Sequence, residues 1–213
     1  MRSTTGVPGR GAPDERFFVL TGGPGSGKTT ILDELAARGM AVTREAGRGI
    51  IQDQVLVGGP ALPWADPALF AELMLCWELR SYRAAAEEAG PVFFDRGTPD
   101  VLGYLRLSGA RVPPHVQRAA REVPYHRLVF VTPYWPEIFH HDAERRQDHA
   151  EAERTCEVML AVYRELGYET VLVPRGTPAE RADFVLERVH DQRPAPCEVA
   201  GHGERAESPP ALP

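Results

Sequence analysis

Cysteine is scarce: Cys76, Cys156 and Cys197 are odd in number and widely spaced, which excludes a disulfide framework or a thiolate metal site and fits a reducing cytoplasm. No run approaches the roughly 18 apolar residues a transmembrane helix needs, so no membrane partner is expected. Positive charge is also short. With 24 Lys and Arg against 30 Asp and Glu, the formal net charge is −6 and the pI near 5.7, which removes any long-range pull toward nucleic acid. Phosphate binding must then come from local geometry. Residues 1–15 lack the apolar segment of a secretory signal, and residues 191–213 are dominated by Pro, Gly, Ala and charge. Neither stretch holds enough apolar surface to offset the entropy of ordering, so both read as disordered tails around one domain over residues 16–190. An Asn-Lys-x-Asp base-reading motif is missing as well: Thr132-Pro133-Tyr134-Trp135 follows the fourth apolar run, which favours ATP over GTP.

What is present is a complete phosphate-binding loop. Gly22-Gly23-Pro24-Gly25-Ser26-Gly27-Lys28-Thr29 matches glycine, four residues, glycine, lysine and then serine or threonine. Its glycines permit the positive-φ turns that aim successive N–H groups at phosphate oxygens, continuing through Thr30 into a helix. Lys28 reaches the β and γ phosphates, and the Thr29 hydroxyl suits Mg²⁺. An apolar run at 16–21 before the loop and helical periodicity at 29–38 after it supply the required strand, loop and helix order.

Further strand-length apolar runs fall near 41–44, 91–95, 127–132 and 169–173, with helical patterns between them. That alternation predicts an α/β fold: a doubly wound, five-stranded parallel sheet with helices on both faces. The runs at 91–95 and 127–132 are nearly continuous, as expected for central strands. The longest helix is predicted from Pro67 to about residue 89, with Asp66 as N-cap and Gly90 as its end. Met74 and Trp77 on that helix read as core.

Phosphoryl transfer needs phosphates positioned, Mg²⁺ held and an attacking hydroxyl aligned. Asp95 closes the third strand at the ligand edge of the sheet, a Walker B position suited to Mg²⁺; the competing reading is an N-cap for the helix near Pro99. Glu45 follows the second strand and opens the helix over 46–57. It reads either as the carboxylate that orients an acceptor hydroxyl or as a first-turn glutamate favoured by the helix dipole. Arg44, Arg48 and Arg96 lie beside these acids, with Arg96 the preferred site residue.

A charged segment near 141–154 reads as a lid carrying Arg145 and Arg146 over the transferred phosphoryl, or as a plain solvated face. His140, His141 and His149 read as surface histidines rather than metal ligands. Arg175-Gly176-Thr177 is either a base-holding segment or an ordinary strand-to-helix turn.

The phosphate loop, Thr43-Arg44-Glu45-Ala46-Gly47-Arg48, Phe94-Asp95-Arg96-Gly97 and the arginines near Glu144 together resemble the P-loop small-molecule kinases, and within them ATPase or kinase domains of AAA type related to nicotinamide riboside kinase. Thymidylate and deoxynucleoside kinases are similar at Arg44-Glu45 and Asp95-Arg96, although Ala46 and Gly97 depart from their usual proline and larger residue. The resemblance implies strand order 2-3-1-4-5, Glu45 at the acceptor, Asp95 at Mg²⁺, and Arg96 at the acceptor or phosphate. An AAA motor would need a helical domain after residue 190 and an acidic pair after the Walker B strand, and neither is read here. The expected activity is ATP- and Mg²⁺-dependent phosphorylation of a small hydroxylated, nucleoside-like acceptor. The alternative is a nucleotide-dependent regulatory ATPase or switch that binds a protein or lipid. With nucleotide bound, an enclosed pocket of roughly 300 Å³ or more beside the γ phosphate would favour the small acceptor, and a flat exposed surface there the switch.

Overall fold

The computed structural model of the chain describes residues 12–138 and 149–192. Its centre is β1 (Phe17–Gly22), where alternation sends Phe17 and Val19 to one face and Phe18 and Leu20 to the other, all of them buried. A strand buried on both faces belongs mid-sheet, and there it sits. β3 (Val92–Asp95) and β4 (Leu128–Thr132) pair with β1 on either side, and β2 (Ala41–Val42) and β5 (Glu169–Leu172) lie outermost. All pairings are parallel, giving the order β2-β3-β1-β4-β5 expected from the resemblance.

Helices α2 (Lys28–Ala37) and α8 (Pro178–Asp191) cover the face of Phe18, Leu20 and Phe130 through Ile31, Leu35, Val185 and Val189. The opposite face, with Phe17, Val19 and Phe94, is closed by the end of α4 (Pro67–Ala85) and by Tyr163 of α7 (His149–Glu165). Beyond it, α3 (Ala46–Val57), α5 (Thr98–Leu107) and α6 (Pro114–Glu122) pack with α4 and α7 around Phe70, Met74 and Leu105. No described helix is long and apolar enough to cross a membrane.

Some boundaries differ from the sequence reading. The second strand is two residues rather than four, because the Thr43 hydroxyl turns to accept from the Asp95 N–H at 3.2 Å, although Thr43 N–H still donates to Phe93 O at 2.9 Å. The long helix stops at Ala85 rather than near residue 89, and Asp66 does cap its start by accepting from Leu69 N–H at 3.0 Å. Its early end has a cause. The buried Arg16 guanidinium takes the carbonyls of Ala86, Glu88 and Gly90 at 3.2, 3.0 and 3.2 Å. Arg16 closes a helical turn, α1 (Pro13–Arg16), in a stretch read partly as tail and partly as strand. The remainder of both tails lies outside the described residues.

Candidate functional site

The phosphate loop links β1 to α2 at the carboxyl edge of the sheet. Two of its positions admit only glycine. Gly22 sits at φ +136°, and a Cβ there would lie 2.3 Å from Thr132 O of the neighbouring strand. At Gly23 a Cβ would meet Ala152 O at 2.3 Å, so the first turn of α7 rests directly on the loop. The Ser26 hydroxyl shares a 2.6 Å hydrogen bond with Thr132 Oγ1 and lies 2.7 Å from Gly23 O, while Lys28 Nζ donates to Gly23 O at 2.8 Å. Lys28 is buried and is the only lysine in the chain. A cavity of about 360 Å³ opens here, walled by Gly25 to Thr30, Arg48, Trp135 and Gly176. Arg175 and Arg181 lie over the Trp135 ring at 5.8 and 5.7 Å, and Arg181 Nη2 donates to Ser26 O at 3.1 Å. Gly176 reaches the cavity, whereas Thr177 caps α8 by accepting from Glu180 N–H at 3.3 Å.

Beside this cavity lies a cluster of acids around Arg96. Asp95 ends β3 in register with Leu20 and is buried; it does not cap α5, whose N-cap is Gly97. Arg96 takes φ +71°, the only described non-glycine residue at positive φ, and such strain persists where surrounding contacts over-determine it. Those contacts are visible: Arg96 Nη1 donates to Gly22 O and to Asp100 Oδ1, each at 3.1 Å, and Nε donates to Glu45 Oε1 at 3.4 Å. Burial works to lower the Arg96 pKa, but Glu45, Asp100 and Asp95 outweigh it and push it up, so the guanidinium stays charged. Glu45 is the backbone N-cap of α3 rather than a first-turn residue, and its side chain makes no cap hydrogen bond. It turns to Arg96.

Asp100 escapes the sequence reading altogether. It is 1% exposed and accepts from Thr21 Oγ1 at 2.5 Å, Arg96 Nη1 at 3.1 Å, Gly97 N–H at 3.0 Å and Tyr163 Oη at 2.6 Å. The local signal was a Thr-Pro-Asp helix start, which marks a cap and says nothing of the tertiary partners.

Glu45, Arg96 and Asp100 face a second cavity of about 510 Å³, walled also by Arg48, Phe70, Met74 and Tyr104. Met74 thus packs in the core, as read, and also lines the cavity. Glu78, one turn on from Met74, is also buried. Burial raises its pKa well above the usual carboxylate range, helped by Asp100, Asp95 and Glu45 and opposed by Arg96. A carboxyl raised in the folded state contributes stability that is full below its unfolded value and lost as pH rises through its folded value. Glu78→Gln is expected to remove that loss, leaving the variant more stable than the parent at pH 8 and closing the gap at pH 5. Urea melts at the two pH values test this, and an equal gap at both would refute it.

Arg145, Arg146, His140 and His141 lie outside the described residues, as does the lid reading up to residue 148, whereas its last part, 149–154, is the start of α7. His149 opens α7 and pairs with the Tyr134 hydroxyl, and no group of three or more metal-ligating side chains occurs among the described residues.

A glycine-rich anion loop at a helix start, a five-stranded parallel sheet in this order and a second cavity at the same edge define a P-loop nucleotide-binding domain of kinase-like topology. The chain belongs to the AAA domain family, whose match covers residues 17–181. Among solved structures it is similar to NadR protein in complex with NR, at TM-score 0.61 and 18% identity over 83% of this chain, which spans 51% of that one. It is also similar to deoxyadenosine kinase from M. mycoides with products dCMP and a flexible dCDP bound, at TM-score 0.61 and 12% identity over 82% of this chain and 99% of that one. A third is shikimate kinase from Acinetobacter baumannii in complex with shikimate, at TM-score 0.52 and 16% identity over 84% and 94%. At these identities the likeness is one of fold. A comparison with curated proteins finds no match.

Proposed function

We propose that this protein transfers the terminal phosphoryl group of ATP to a hydroxyl of a small acceptor, nucleoside-like in size. One observation carries the reading: a half-open cavity of about 510 Å³ with Glu45, Arg96 and Asp100 on its wall adjoins the phosphate-loop cavity, whereas a switch needs no such space there. The loop amides from Gly23 to Thr30 would cradle the phosphates, with Lys28 swinging from Gly23 O to the β and γ groups. Trp135, Gly176 and the flanking arginines suit a base. Thr29 and the buried Asp95 are the oxygen donors that would hold Mg²⁺, which neutralises charge on the phosphates when bound. Glu45, oriented by Arg96, would accept the acceptor's proton as its oxygen bonds to the γ phosphorus and the bridging bond to ADP breaks.

The fold neighbours support this reading in kind, since the NadR protein is bound to NR, the deoxyadenosine kinase to dCMP and dCDP, and the shikimate kinase to shikimate, all of them small molecules. A screen of nucleosides and small hydroxy compounds with Mg-ATP, following ADP release, is expected to find an acceptor that raises turnover above the water background. Glu45→Gln should then keep ATP affinity and lose about 10²–10⁴-fold in acceptor phosphorylation. Normal ATP binding with no stimulating acceptor would sink the proposal and leave the regulatory switch.

A further inference from the structure

We infer that Arg48 is a catalytic residue of this transfer, placing its guanidinium on the terminal phosphoryl group as it passes between the two cavities; the inference rests on the kinase reading above. Arg48 lies on the wall of both the phosphate-loop cavity and the acceptor cavity, so its side chain stands at their junction. The backbone beneath it is fixed. Arg48 is in the first turn of α3, and beside it Gly49 lets the helix close onto α4, where a Cβ would lie 2.9 Å from the Trp77 ring.

Charge narrows the choice further. A transferring phosphoryl spreads negative charge over three equatorial oxygens, and Lys28, the only lysine, supplies one cation. Any other permanently charged cationic side chain must be a guanidinium. Arg96 lines the acceptor cavity but not the phosphate-loop cavity. Arg181 and Arg44 line neither cavity, and Arg154 lines the acceptor cavity only. Among the described arginines, Arg48 alone borders both spaces. Its planar fork matches two phosphoryl oxygens at once and stays protonated throughout, so it gives up no proton during transfer.

Equilibrium titration of the full chain with Mg-ADP and with the magnesium complex of the imido analogue of ATP separates this role from a structural one. Arg48→Ala is expected to lose about ten-fold in affinity for the imido analogue, the scale of one charge-assisted hydrogen bond. ADP affinity should stay within about two-fold, and Arg48→Lys should recover part of the loss. Equal losses for both nucleotides, or no loss for either, would overturn the inference. Should Arg48→Ala fail to fold, Arg48→Lys and Arg48→Gln carry the same comparison. A parent chain that binds neither nucleotide removes the kinase reading itself, whereas one that binds both without discrimination through Arg48 removes this inference alone.

Discussion

Asp100→Ala is expected to destabilise the fold by about 3–5 kcal/mol, the usual cost of removing one partner from a buried charged network. The loss is large because four donors converge on that carboxylate: the Thr21 and Tyr163 hydroxyls, the Gly97 N–H and the Arg96 guanidinium. Each would remain buried without its acceptor, and the cation is the costliest of them. Asp100→Asn keeps one acceptor oxygen and the shape, so a smaller loss is expected. Urea unfolding of both variants decides it; a change below about 1 kcal/mol for the alanine variant would show that the network relaxes around the gap. Function should suffer with stability, since Arg96 holds a positive-φ backbone and carries Glu45 through the same contacts.

The second large effect concerns Lys28. Because the chain holds no other lysine, an acyl-phosphate derivative of ATP, which acylates an amine beside the terminal phosphates, should modify a single side chain. Mass spectrometry of the intact chain would show one adduct, suppressed by excess Mg-ATP and mapped to the peptide containing Lys28. Lys28→Met should abolish that adduct and lower turnover with whichever acceptor the screen selects by about 10²–10³-fold, as for removal of one preorganised charge donor. Labelling confined to the N-terminal amine, or a methionine variant that turns over normally, would show that the lysine does not meet the nucleotide.

Much of the frame was legible because it rests on local rules. The span of α3 from Ala46 to Val57 and the cap at Asp66 follow from periodicity and capping chemistry, and the strand order follows the resemblance carried by the loop motif. Asp95 and Glu45 could be singled out from the sequence because the strand ends of such a sheet form its ligand edge. Asp100 and Glu78 were not. An aspartate in the first turn of a helix reads as a cap, whereas the role of Asp100 depends on Thr21 and Tyr163, which lie 79 and 63 residues away along the chain; the burial of Glu78 likewise leaves no local sign. Met74 fell between the two cases, since the same apolar spacing serves a core and a cavity wall alike.

The seat of α7 on Gly23 gives the molecule a mechanical linkage. With Ala152 O where a methyl on Gly23 would be, α7 has no room to move toward the loop without displacing the amides beneath it. Nucleotide arrival would thereby be transmitted to Glu151 and Arg154 at the rim of the neighbouring chamber without a hinge of its own.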